Sequence, residues 1–223
     1  MADRDRWSFL IPAAGEGTRL GRGPKALLDL NGAIMLDRVV EAARGVSGDI
    51  VVGVPASEVA AIARRYPDAT VMAGGKTRQE TVAGLLRRAR RDWVIVHDAA
   101  RPLCTPALIH AVADAAAATG AAAALGPVDV PVAVVEDGLI MAHIRARDAR
   151  LCQSPLAFRA DVLREAYRQV AETGLEAPST LELVLAAGFV VRAVEGERRN
   201  IKITTELDLL LARAILAADR DQM

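Results

Sequence analysis

The sequence predicts an α/β fold, a doubly wound and mainly parallel sheet with a projecting β-arm. Three observations lead there. Apolar runs of strand length alternate with segments of helical periodicity as far as about Pro127. Runs such as "DIVVGV" are continuously apolar after the first residue, as in strands covered on both faces. The rhythm then breaks, and a loosely alternating stretch carries the hairpin signal Asp137-Gly138. At 223 residues the chain is expected to form one domain, 1–223, with the arm at 127–150 inside it.

The elements follow in order. "WSFLIPA" reads as the first strand, and "AIMLDRVVEAARG" as a helix stopped by glycine. "DIVVGV", "ATVMAG", "DWVIVHD" and "AAAALGPV" are the next four strands. The helices between them are "ASEVAAIARRY", "TRQETVAGLLRRARR" and "TPALIHAVADAAAAT". The second of these opens with a Thr77–Glu80 capping box, and the third has proline in its first turn. Beyond the arm, "PLAFRADVLREAYRQVAETG" and "STLELVLAAG" read as helices, "FVVRAVEG" as a strand and "TELDLLLARAILAADR" as the closing helix. The arm is too apolar to stand alone, so a second copy of the chain is expected to cover it, making a homodimer.

Composition narrows the partners. With 28 basic and 28 acidic residues the formal net charge is zero, which argues against a nucleic-acid footprint or binding to an anionic membrane. Cys104 and Cys152, the only cysteines, imply neither a disulfide framework nor a zinc cluster, and suit a reducing cytoplasm. No apolar run approaches the ~18 residues of a spanning helix, and the first is too short for a signal peptide. A cytoplasmic location is the expectation.

The stretch "IPAAGEGTRLGRGPKAL" puts Gly15, Gly17, Gly21 and Gly23 in one loop with Arg19, Arg22 and Lys25. Glycines let backbone N–H groups approach a ligand closely, and such a loop with added cations suits a phosphate-rich one. It is not a P-loop, since Lys25 follows Pro24 and precedes Ala26. It is not a dinucleotide fingerprint either, since Leu20 stands where the third glycine belongs.

Ligands of open α/β sheets sit beyond the carboxyl ends of the strands. The loops after the first, third and fourth strands are therefore expected to meet over one crevice. Asp98 ends the fourth strand, where a carboxylate can hold Mg²⁺ beside phosphates or cap a helix. His97, one residue earlier, should point to the opposite side and pack. Arg101 is expected to hold either Asp98 or its loop. Gly74 and Gly75 permit close approach to a base or ribose, and Arg78 and Thr81 lie one turn apart on the following helix. Lys202, between Ile201 and Ile203, precedes the last helix on a segment returning to the crevice.

Together, "PAAGEGTRLGRGPKALL", "GGKTRQETVAGL", "VHDAARP" and "NIKIT" resemble the 2-C-methyl-D-erythritol 4-phosphate cytidylyltransferase family, in order, from about Phe9 to Leu216. The resemblance implies a Rossmann-like nucleotidyltransferase fold and attack of an acceptor phosphate on the α-phosphorus of CTP. It implies Mg²⁺ as cofactor, held by Asp98, and catalytic roles for Arg19, Lys25 and Lys202. Ala13, Ala14, Gly15, Gly75, Arg78, Thr81 and Ala99 would line the CTP site. The arm would dimerise and carry acceptor-binding residues into the neighbouring subunit.

The acceptor half departs from the family's pattern. Val130 and Pro131 stand where an Asp-Thr pair is usual. The arginine position eight residues before the "QTPQ" segment is Ala146, flanked by Arg145 and Arg147. That segment reads "QSPL", keeping a hydroxyl at Ser154 and losing an amide at Leu156. The "TDDA" segment reads Pro178-Ser-Thr-Leu181. Arg147 and Ser154 are the expected acceptor ligands, Arg147 through a one-residue bulge. Two alternatives stay open: another sugar- or polyol-phosphate acceptor, or a non-catalytic nucleotide-binding paralogue.

Overall fold

A computed structural model describes residues 4–15, 17, 23–174, 177 and 179–221. The first strand, β1 (Trp7–Pro12), has parallel neighbours on both sides. On one side lie β2 (Asp49–Val54) and then β3 (Thr70–Ala73), and on the other β4 (Trp93–Val96). The chain therefore winds outward from β1, returns, and continues on the opposite side. That reversal opens a crevice at the carboxyl ends of β1 and β4.

The helices α1 (Met35–Arg44), α2 (Val59–Arg65) and α3 (Arg78–Arg88) make these connections. Thr77 caps α3, accepting the Glu80 N–H as its sequence predicts. Alternation along β1 explains the two cores. Trp7, Phe9 and Ile11 pack on one face against α1 and α4 (Pro106–Thr119), while Leu10 joins the opposite face with α3. Both faces of β1 and β2 are covered, which is why their sequences are apolar but for Ser8 and Asp49, and these two buried groups pair with each other, Ser8 Oγ donating to Asp49 Oδ2 (2.5 Å).

The remaining order is β4, β8 (Arg150–Arg159), β5 (Ala121–Pro127) and β9 (Arg192–Glu195). β8 runs antiparallel to both its neighbours, and β5 pairs parallel with β9. Here the structure corrects the expected helix at "PLAFR": residues 155–159 complete β8, and α5 (Ala160–Thr173) begins only at Ala160. Proline is a poor central-strand residue. The ladder accommodates Pro155 in a bulge on β8: the register passes from Ala123–Leu156 to Leu125–Cys152, so the extra residues, Pro155 among them, lie on β8. The helix α6 (Thr180–Ala186) and the closing α7 (Glu206–Asp221) complete the layers.

Val132–Glu136 (β6) and Leu139–Ile144 (β7) pair with each other as a separate two-stranded sheet. Asp137 and Gly138, both at positive φ, make its tight turn, as the Asp-Gly signal predicts. Every residue of the two strands is exposed. Among the described residues no helix is long and apolar enough to cross a membrane.

Candidate functional site

The crevice is a cleft of about 600 Å³. Ala13, Ala14, Gly15 and Lys25 line it from the first loop, and Gly75, Arg78 and Thr81 from the loop and helix after β3. Asp98 and Ala99 line it from the loop after β4, and Lys202 from the segment before α7. These are ten of the thirteen site residues picked from the sequence. Lys76 and Thr77 share the lining, although neither is picked as a site residue and the sequence marks Thr77 only as a helix cap. Arg19 lies outside the described residues.

Backbone contacts tie the loops into one wall. The Ala13 N–H donates to the Gly53 carbonyl (2.7 Å) and the Gly74 N–H to that of Val54 (2.8 Å). Thr81 Oγ1 donates to the Thr77 carbonyl (2.9 Å) and accepts from the Gly75 N–H (3.0 Å). Gly74 is required by contact: a Cβ there would lie 2.3 Å from that of Ala14 and 3.0 Å from Thr81 Oγ1. Gly74→Ala would push the two loops apart, an overpacking cost of about 1–3 kcal/mol. A melting temperature lower by roughly 5 °C is expected by calorimetry, and an unchanged one would show that the loops are not in contact.

Charge concentrates on Asp98. Its Oδ1 accepts from Arg78 Nη2 (2.8 Å) and Nε (3.0 Å), and its Oδ2 from Lys202 Nζ (2.9 Å). Burial by itself would raise this carboxyl, but the Arg78 and Lys202 charges outweigh it and hold the group well below the usual carboxylate range. Arg78 also donates from Nη1 to Thr180 Oγ1 (2.8 Å), and Lys25 Nζ donates to the Ile203 carbonyl (2.6 Å). Thr180 gave no sequence signal, because it lies 102 residues from its partner and stands where the family pattern has a carboxylate.

Asp98 is the single carboxylate among the described lining residues. Among those residues there is also no cluster of three metal-ligating side chains. This donor set fits Mg²⁺, which is commonly held by one or two carboxylates plus substrate phosphates and water. It does not fit an all-protein metal cage.

Behind the cleft the residues are structural. His97 is fully buried beside the Phe9 ring (centroids 6.2 Å apart), and burial pushes it down to about 4, so it is neutral. Arg101 holds the loop and not Asp98, donating to the Asn200 (2.7 Å) and Cys152 (2.9 Å) carbonyls. Ser154, one of the two expected acceptor ligands, is turned inward. Its Oγ contacts the Asp98 N–H (3.0 Å) and His97 Nδ1 (3.1 Å). Leu156 is buried in the sheet core, which explains an apolar residue there. Arg147, the other expected ligand, is 71 % exposed and lines a second cleft with Arg150 and Arg198 at the foot of the β6–β7 hairpin. Pro178 lies outside the described residues.

Comparison with known proteins agrees with this geometry. The family model for 2-C-methyl-D-erythritol 4-phosphate cytidylyltransferase matches residues 8–218. A protein of that name from Thermus thermophilus is 40 % identical over 93 % of this chain and 96 % of its own. Its namesake from Deinococcus radiodurans is 38 % identical over 94 % and 89 %. The crystal structure of an enzyme of that name, also from Thermus thermophilus, superposes with a TM-score of 0.80 at 35 % identity, covering 95 % of this chain and 98 % of its own.

Proposed function

The chain belongs to the 2-C-methyl-D-erythritol 4-phosphate cytidylyltransferase family, and from that premise we propose that it transfers CMP from CTP to 2-C-methyl-D-erythritol 4-phosphate. One observation carries this reading: Lys25, Arg78, Asp98 and Lys202, from four separate segments, converge on a glycine-walled cleft at the sheet's switch point. An acceptor phosphate oxygen bonds to the α-phosphorus of CTP. The bond from that phosphorus to the β-bridging oxygen breaks, and pyrophosphate leaves with its electron pair. No covalent intermediate is required. The chain's task is to hold the two phosphates in line and meet the developing charge with fixed cations.

Lys25, Lys202 and Arg19 supply that charge, with Arg78 turning from Asp98 toward the nucleotide. The backbone of Ala13, Ala14, Gly15, Gly75 and Ala99, with Thr81, shapes the CTP pocket. Asp98 would hold Mg²⁺, whose bound charge lowers the repulsion between the phosphates. The test is pyrophosphate release from CTP with 2-C-methyl-D-erythritol 4-phosphate against a panel of sugar and polyol phosphates. Turnover highest with a different acceptor would favour the altered acceptor half. Nucleotide binding with no turnover on any acceptor would favour a non-catalytic paralogue.

The β6–β7 hairpin supports a homodimer. Val135, Leu139, Ile140 and Met141 are all more than half exposed, and a lone two-stranded ribbon is marginally stable. A second copy covers it, and the same association brings Arg147 to the neighbour's cleft. Ile140→Glu should then give a monomer by sedimentation velocity. Arg147→Ala should raise the acceptor KM by about 10–100-fold, the value of a charge-assisted bond to phosphate, with CTP affinity unchanged. An Arg147→Ala variant with a normal acceptor KM would leave Arg147 to the cleft it shares with Arg150 and Arg198.

A further inference from the structure

We propose that Ser154 and His97 are positioning residues that aim Asp98 through a one-way chain of three hydrogen bonds. The direction follows from the last acceptor. His97 Nε2 lies 3.0 Å from the Arg101 carbonyl oxygen, which can only accept, so Nε2 carries the proton. With that proton on Nε2, Nδ1 presents its lone pair toward Ser154. Ser154 Oγ, 3.1 Å away, must spend its single proton on Nδ1. That leaves the Ser154 oxygen to accept the Asp98 N–H at 3.0 Å. The Arg101 N–H donates back to the Asp98 carbonyl at 3.0 Å and closes the turn.

The chain also reaches the other half of the Asp98–Lys202 pair. Arg101 donates to the Asn200 carbonyl, and Asn200 Nδ2 donates to the Ser154 carbonyl at 2.7 Å. Asn200 is fully buried and stands two residues before Lys202. Ser154 therefore fixes Asp98 through its hydroxyl and the Lys202 segment through its backbone. The 2.9 Å Asp98–Lys202 contact is set between these two anchors. None of these supporting groups lines the cleft, so the effect on chemistry is indirect. A substitution should change how Asp98 is presented and not what the nucleotide touches.

The kinetic arm of the test rests on the cytidylyl-transfer reading; the tautomer arm does not. Long-range ¹H–¹⁵N correlation spectra of the full chain labelled with ¹⁵N-histidine report which nitrogen of each ring is protonated. The signal lost in His97→Asn is expected to be an Nε2–H tautomer. In turnover assays, Ser154→Ala should lower kcat about tenfold, the cost of leaving buried partners unpaired, with the CTP dissociation constant within about twofold. Ser154→Thr keeps the hydroxyl and should restore kcat. His97→Asn places an acceptor where Nδ1 stood and should keep more activity than His97→Leu. An Nδ1–H tautomer, equal losses in His97→Asn and His97→Leu, or an unchanged kcat in Ser154→Ala would each overturn the proposal. A wild-type chain without cytidylyl transfer but with the Nε2–H tautomer would sink the reaction and keep the hydrogen-bond chain.

Discussion

Lys25→Ala is expected to lower kcat by about two to three orders of magnitude while the CTP dissociation constant rises by less than about tenfold. The reason is where the charge is needed. In the ground state CTP brings its phosphates already solvated, and several groups of the cleft share their binding. In the transition state negative charge gathers around the transferring phosphorus, and a fixed cation there is worth most. Lys25 is placed for this by two bonds. Its N–H donates to the Gly15 carbonyl (3.3 Å), which folds the loop back, and its Nζ donates to the Ile203 carbonyl. Arg19→Ala should act in the same direction. The measurement pairs steady-state kcat with CTP binding in the absence of acceptor. Equal losses in both would mean that these cations only hold the nucleotide.

Asp98→Asn is expected to remove most activity, by about a thousandfold or more, and to flatten the Mg²⁺ titration of what remains. Asparagine keeps the shape and loses the charge. Mg²⁺ would lose its one protein carboxylate, and Arg78 and Lys202 would face each other with no anion between them. A normal Mg²⁺ titration in the variant would rule Asp98 out as the ligand. The same substitution has a pH signature in stability. The folded-state carboxyl is held below its ordinary value, so its contribution is complete above about pH 4 and is lost as pH falls through the lower folded value. Thermal melts of the wild type should therefore fall on that acid limb more steeply than those of Asp98→Asn. Parallel curves would mean that the three charges are not coupled in the folded chain.

What could be read from the sequence was local. Strand–helix alternation, the Thr77 cap on α3 and the Asp137-Gly138 turn each depend on a few adjacent residues, and each is found where the pattern puts it. The switch-point rule then places three loops over one crevice, which is why Lys25, Gly75, Arg78, Thr81, Asp98 and Lys202 could be named together. The strand β8 was hidden because Pro155 interrupts its pattern and the helix α5 follows without a break. A bulge on β8 itself makes a central strand there possible, and it is defined only against β5, which lies some thirty positions earlier.

Sequence by itself determined the fold class, the loops that line the cleft and the family, because glycine freedom, charge and apolar period are written within short windows. The tertiary structure decided which partners those residues take. It put two cations on Asp98, gave Arg78 the neutral Thr180, turned Ser154 inward to His97 and left Arg147 outside the cleft. These choices join positions up to 104 residues apart. A hydrogen bond depends on distance and direction to within fractions of an ångström, and for such pairs the packed sheet sets both.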